Sequence, residues 1–269
     1  DVFYLEYVHE FFGDFLREVK PYCRFVASWI SSPLNPRVPL EGVDLVLSST
    51  PDFVDSFRQK GLHAEYMHPA FDTRILGKLM PELKKDIPFS FVGGWSAVHL
   101  NRMKALTELA RRTPIQIWGY GYIKSFRKKN LAYFRHQIFP ENREILKAYN
   151  EGLWGLKMYE VLKRSMLTFN IHESLLKGYV GNMRMFEATG AGTMLLNDQG
   201  KNLPELFVPG KEIETYATVD EAIEKVNFYL KNPAKAIEIG RNAQARTVKD
   251  YNYDAYVERL FSLIQIYFN

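Results

Sequence analysis

A single cysteine, Cys23, stands in the 269 residues, which excludes an internal disulfide and leaves no thiol partner for a zinc cluster. The histidines are scattered singly at 9, 63, 68, 99, 136 and 172, and Asp-x-Asp does not occur, so local sequence encodes no divalent-cation site and no bound metal is expected. No apolar run reaches the roughly 18 residues of a membrane span, and no basic, apolar and small-residue series opens the chain. With one cysteine, that makes a cytoplasmic location the expectation. Also missing are a Walker motif, a full Gly-x-Gly-x-x-Gly with its downstream acid, zinc-finger spacing and an aromatic RNA-binding signature. These absences argue against P-loop, NAD or FAD chemistry and against a nucleic-acid partner. The net charge of +4 is mild and admits an anionic ligand without requiring one.

What is present is alternation. Near the N-terminus, "DVFYLEYVHEFFGDFLREVKP" has apolar residues at helical spacing up to Pro21, and "CRFVASWI" reads as a buried strand in which Cys23 is filler. "VDLVLSST", "PDFVDSFRQKG" and "HAEYMH" then read as strand, helix and strand, giving about three strands before residue 70. The polar, proline-containing connector "GKLMPELKKDIP" marks a domain boundary near residue 85. A second series follows: "FSFVGG", "HLNRMKALTELARR", "IQIWGYG", "GLKMYEVLKRS", "MLTFNIH", "NMRMFEATGAG", "TMLLND", "EIETYA" and three closing helices. The expectation is an α/β protein of two Rossmann-like domains, 1–85 and 86–269. The first is expected to be incomplete, since the chain begins without methionine inside the pattern.

In such a sheet, ligands sit at the carboxyl ends of strands, where helix N-termini present free amides. Four segments should reach that edge: Gly93 and Gly94, Gly119 to Gly121, Asn170 to Glu173, and the start of the helix in "GNMRMFEATGAG". The glycines serve either as phosphate approaches or as plain turns. Glu187, amid the small and apolar residues of that helix, would be costly to bury without donors.

The run from "GLKMYEVLKRS" to "TMLLND", with "LPELFVPGKEIETYATVDEAIEKVNFYLKNP" and "RTVKDYNYDAYVERL", resembles the glycosyltransferases related to the spore maturation protein CgeB. The likeness covers about residues 88 to 260, and its most specific piece is Asn-x-Arg-x-Phe-Glu-Ala-x-Gly-x-Gly before a strand. The resemblance implies a GT-B fold, with a nucleotide-sugar donor in the cleft between two domains and a glycan, protein or lipid-linked acceptor. UDP is the expected nucleotide by prevalence alone.

The resemblance assigns Glu187 to the ribose hydroxyls; a structural ion pair with Arg184 or Arg102 is the alternative. By the same likeness the amides of Gly181 and Asn182 receive the diphosphate, with Arg184, Arg102 and His172 as further donor-site candidates and Gly93, Gly94 and Gly119 approaching the nucleotide. His172 could equally be a cap, and Arg184 a solvated helix residue. His68, in "HPAF", is placed at the interdomain cleft. Related retaining enzymes carry Glu-x7-Glu, but the position eight before Glu187 is Tyr179, so retention or inversion is left open. Glu173 is a substitute candidate, and His9, Glu10 and Asp14 are candidates for the base of an inverting reaction.

GT-B transferases offset the leaving diphosphate with helix dipoles and basic side chains, so no metal or cofactor is implied. The basic, aromatic stretch 122–139, "YIKSFRKKNLAYFRHQIF", is read either as a peripheral membrane contact or as a solvated helix. A non-catalytic nucleotide-binding module and a nucleotide-sugar epimerase share the fold and stand as alternatives.

Overall fold

Along Leu45–Ser48, Leu45 and Leu47 face one core while Val46 faces another, the period of a strand buried on both sides. The same alternation runs through the computed structural model, which describes residues 1–6, 13–32, 40–80, 83–94, 100–120, 145–172 and 178–268. The first sheet orders four parallel strands as β1 (Val2–Leu5), β2 (Phe25–Trp29), β3 (Leu45–Ser48) and β4 (Ala64–Tyr66). Helices α1 (Gly13–Val19) and α2 (Pro51–Gln59) belong to this part of the chain.

Residues 2–5 therefore form a strand where helical spacing was expected. Val2, Phe3 and Tyr4 are residues with strand preference, and pairing with Phe25 to Ala27 of β2 overrides the longer-range helical pattern. Among the described residues, helix spans Gly13–Val19. Cys23 is half-buried, its thiol donating to the Val19 carbonyl (3.1 Å), rather than a buried filler.

The second sheet comprises β5 (Ile87–Gly94), β6 (Ile115–Tyr120), β7 (Tyr149–Glu151), β8 (Ser165–Asn170), β9 (Met194–Asp198) and β10 (Glu214–Tyr216). Its order is β10-β9-β8-β5-β6-β7, all parallel. The chain runs outward from β5 in one direction and resumes at β8 in the other, so a topological switch point lies between β5 and β8. Strand β7 escaped the sequence reading because three residues carry too little periodicity. The helices are α3 (Leu100–Arg112), α4 (Leu156–Arg164), α5 (Met183–Gly190), α6 (Leu203–Leu206), α7 (Val219–Lys231), α8 (Pro233–Asp250) and α9 (Tyr253–Phe268). Leu106, Leu109 and Val226 meet Phe89 and Phe169 on one face; Met158, Leu162 and Phe186 meet Leu195 on the other.

Helix α9 leaves the second sheet and lays Leu263 and Ile264 against Phe25, Ala27, Leu45 and Leu47 of the first. The join is sealed by Phe71, 1% exposed, whose amide donates to the Tyr251 carbonyl (2.8 Å) and whose ring meets Tyr159 edge-on. That ring occupies the space over Gly190, where a Cβ would come within 2.4 Å of it. Lys85 crosses the same region, its ammonium donating to the carbonyl of Gly192 (2.9 Å) just past the end of α5.

Gly190→Ala should therefore lower unfolding free energy by about 1–3 kcal/mol through overpacking against Phe71, read by urea denaturation. Burial, with repulsion from Lys163 added, pushes the Lys85 ammonium down from 10.5 to about 7. Between these values the unfolded chain binds a proton that the folded chain does not, so the Lys85 contribution raises stability as pH climbs from about 7 toward 10.5 and is at its most unfavourable below that window. Lys85→Met should flatten that slope, measured as denaturation midpoints at neutral and alkaline pH.

Candidate functional site

The carboxyl edge of the second sheet collects polar side chains, because each strand there ends in residues the core cannot use. Asn170 ends β8, Asn197 and Asp198 end β9, and Asn182 caps α5. Asn182 accepts from the Met185 amide (3.2 Å), as an N-cap does. It also exchanges two bonds of 3.1 Å with Asn170, which in turn donates to Asn197 (2.7 Å). Before the cap, Gly181 has φ +145°, a left-handed value, and a Cβ there would meet the Ser49 carbonyl, one residue past β3, at 3.2 Å.

His172 completes this edge, with its side chain 3% exposed. Its Nδ1 lies 2.7 Å from Asp198 Oδ1, its own amide donates to Asp198 Oδ2 (2.9 Å), and its Nε2 accepts from the amides of Gly181 (3.1 Å) and Asn182 (3.3 Å). Two N–H donors at Nε2 require a lone pair there, so the proton is on Nδ1, facing the carboxylate. The amides expected to receive a diphosphate thus hold an imidazole, and His172 acts as the cap that was its alternative reading.

Glu187 lies one turn into α5, its side chain 15% exposed, and pairs with Arg184 at 2.8 Å. Tyr159 of α4 donates to its other oxygen at 3.4 Å. Burial first, and the Glu187 charge after it, push the Tyr159 phenol up, so it remains a donor. The ion pair anticipated as the alternative for Glu187 is therefore formed, with Arg184 rather than Arg102. Arg102 instead donates to the carbonyls of Gly94 (2.9 Å) and Ile171 (3.1 Å), tying the ends of β5 and β8 at the switch point.

Gly93 and Gly94 end β5, paired with Gly119 and Tyr120 of β6. The Gly94 position abuts the Tyr120 ring, which in turn faces Trp154 at a centroid distance of 5.4 Å. Tyr120 and Trp154 are 48% and 65% exposed, an open aromatic pair that sequence reading did not single out. His68 packs on Phe186 and Tyr251 inside the domain join, while its neighbours Pro69 and Ala70 face the cleft. His9, Glu10 and Glu173 lie outside the described residues, as do 122–139 and the side chain of Asp14. Among the described residues no three His, Cys, Asp or Glu side chains gather as metal ligands, and no helix is long and apolar enough to cross a membrane. Asn170 stands at the edge where it was expected, whereas Asn197, Asp198 and Tyr159 were missed; the signal for Asn197 and Asp198 was polar residues directly ending an apolar strand.

Solved structures with this architecture include a sucrose-phosphate synthase from Thermosynechococcus elongatus (TM-score 0.65, 13% identity, 98% of this chain and 73% of that one). Another is Anabaena HepE in complex with UDP and glucose (TM-score 0.68, 13% identity, 98% and 78%). A third is a mutant of S. aureus TarM in complex with Fondaparinux, alpha-GlcNAc-glycerol and UDP (TM-score 0.63, 11% identity, 91% and 51%). No curated protein matches in sequence. At these identities the likeness defines the fold: two Rossmann-like domains of the GT-B type. The sequence profile described as glycosyl transferase-like matches residues 100–262, and the chain belongs to that family.

The tautomer of His172 is open to direct measurement. Nitrogen-15 shifts of its ring, recorded well above the ordinary imidazole range, should show a protonated Nδ1 and a bare Nε2. His172→Ala, which strands two amides and a carboxylate, should cost about 1–3 kcal/mol in urea unfolding.

Proposed function

We propose that this protein transfers a hexosyl unit from a nucleotide-sugar, with UDP as the nucleotide, to an acceptor hydroxyl, without a bound metal, and that it stands in the CgeB-like group of its family. The observation that carries this reading is Glu187: a carboxylate shielded from water, one turn inside the helix that starts at the switch-point edge, with Arg184 beside it and Asn182 capping the same helix. An ion pair this enclosed repays its desolvation poorly on structural grounds alone. It makes better sense where a ligand supplies further donors, and vicinal ribose hydroxyls are such donors.

Trp154 precedes α4 by two residues, and α4 carries Tyr159, which reaches Glu187. A ribose at Glu187 therefore has a stacking surface for its base in Tyr120 and Trp154, and a cation for its diphosphate in Arg184. As the glycosidic bond breaks, the positive end of α5 and the Arg184 guanidinium offset charge on the leaving diphosphate. The related fold bound to UDP and glucose supports the choice of nucleotide.

Calorimetric titration with UDP, GDP and their sugars, without added metal, tests the reading. UDP binding is expected, weakened about tenfold or more, roughly 1.4 kcal/mol, by Glu187→Ala. No nucleotide binding to the folded chain, or binding indifferent to Glu187, would overturn it. Product analysis then separates transfer from epimerisation, which changes the sugar without an acceptor.

A further inference from the structure

The contact between His172 and the start of α5 is one that a single proton reverses. Nε2 accepts from the amides of Gly181 (3.1 Å) and Asn182 (3.3 Å), while Nδ1 keeps its proton on the Asp198 side. A second proton, taken up from solvent, can go only to Nε2. There it sets an N–H against two N–H groups, so two attractive contacts become repulsive and both amides lose their acceptor. The ring itself is not freed, because its Nδ1–H then faces Asp198 as an ion pair. The amides are the groups that must move. Gly181 already abuts the first part of the chain, since a Cβ there would meet the Ser49 carbonyl at 3.2 Å. Both residues also line the cleft whose walls include Glu6 and the rings of Tyr4, Trp29, Tyr253 and Tyr256, so a shift at the amides alters that wall as well.

We infer that His172 is a positioning residue that works in one protonation state only: neutral, it fixes the start of α5 and through it Glu187; protonated, it releases both. The consequence for binding rests on the donor reading above, to which the latch adds control by pH in the range where imidazoles titrate. The surroundings of the ring are compatible with such a change. Asp198 of β9 bonds it directly. From α3 come Arg102, on the neighbouring Ile171 carbonyl, and Lys104 and Glu108, which line the same recess as His172. From β10 comes Tyr216, whose phenol donates to the Asn170 carbonyl and is held well above its ordinary value by burial first and the Asp198 charge after it. Ahead of α5 lies Tyr179, with the Lys201 ammonium over its ring. A proton on His172 therefore has a carboxylate to balance it at Nδ1, while the cost falls on the two amides at Nε2.

Nitrogen-15 spectra of the nucleotide-free full chain, taken from pH 8 to pH 5, read the latch directly. The His172 ring signals and the Gly181 and Asn182 amide signals should shift with one common midpoint. His172→Gln, which keeps an acceptor that takes up no proton in this range, should leave both amide signals flat. In calorimetry UDP-glucose, whose diphosphate carries no proton in this range, should bind the unmodified chain about tenfold more weakly at pH 5 than at pH 8, and His172→Gln with less than about a twofold change. Lys85, which holds the Gly192 carbonyl beyond the other end of α5 and titrates at about 7, is retained in that variant and so is controlled for. If His172→Gln does not fold, Asp198→Asn decides, because loss of the facing charge should move the common midpoint to lower pH. Amide signals that ignore the titration of the ring, or that titrate unchanged in the variants, would overturn the inference. So would UDP-glucose affinity that rises in acid or falls equally in His172→Gln. Failure of UDP-glucose to bind at any pH counts against the donor reading alone, because the amide signals are read without nucleotide.

Discussion

Parallel strands bring all their carboxyl ends to one edge, and in this protein that edge is fastened by side-chain amides and one imidazole. The start of α5 depends on that fastening. Asn182 caps the helix and pairs with Asn170, and His172 holds the two amides before it while Asp198 holds His172. None of these groups is large, yet Asn182 and His172 between them accept from three backbone amides at the helix start. The position of Glu187 follows, since a residue one turn along a helix is placed by whatever fixes its first residue.

The two flanks of the edge differ in character. On the α4 side lie the Glu187–Arg184 pair, Tyr159 and the open rings of Tyr120 and Trp154, a mixture suited to a nucleoside with its charge. Toward the first sheet lie hydroxyls, the Glu6 carboxylate and four rings around an open cleft. Helix α5 forms the boundary between them, and its first residues face the second while its fifth belongs to the first. A transferase must bring two different polar molecules together without exposing the bond between them to water. Two unlike compartments sharing one helix start are a direct way to do so.

Much of the fold was legible because its strands are buried on both faces and its helices alternate with them. "FSFVGG" and "TMLLND" end where β5 and β9 end, at Gly94 and Asp198, while "MLTFNIH" overruns β8 by two residues. Val2–Leu5 was misread because its strand character depends on pairing with β2, a contact more than twenty residues away in sequence. In the site, Glu187 stood out as a carboxylate among apolar neighbours and Arg184 as its partner one turn earlier. Trp154 and Asp198 did not stand out, because an aromatic before a helix or an acid after a strand is ordinary until the sheet order places it. Arg102, expected near the diphosphate, donates to the carbonyls of Gly94 and Ile171 at the switch point.

Phe71 and Tyr251 carry a consequence beyond packing. The chain passes between the two sheets once after β4 and again before α9, and these passages run side by side, joined by the Phe71 amide and by a parallel bridge from Phe71 to Asn252. Two adjacent strands of backbone act as a single axis, whereas one would act as a tether. To part the sheets, that amide hydrogen bond and that bridge must break together with the packing of Leu263 and Ile264 on the first sheet.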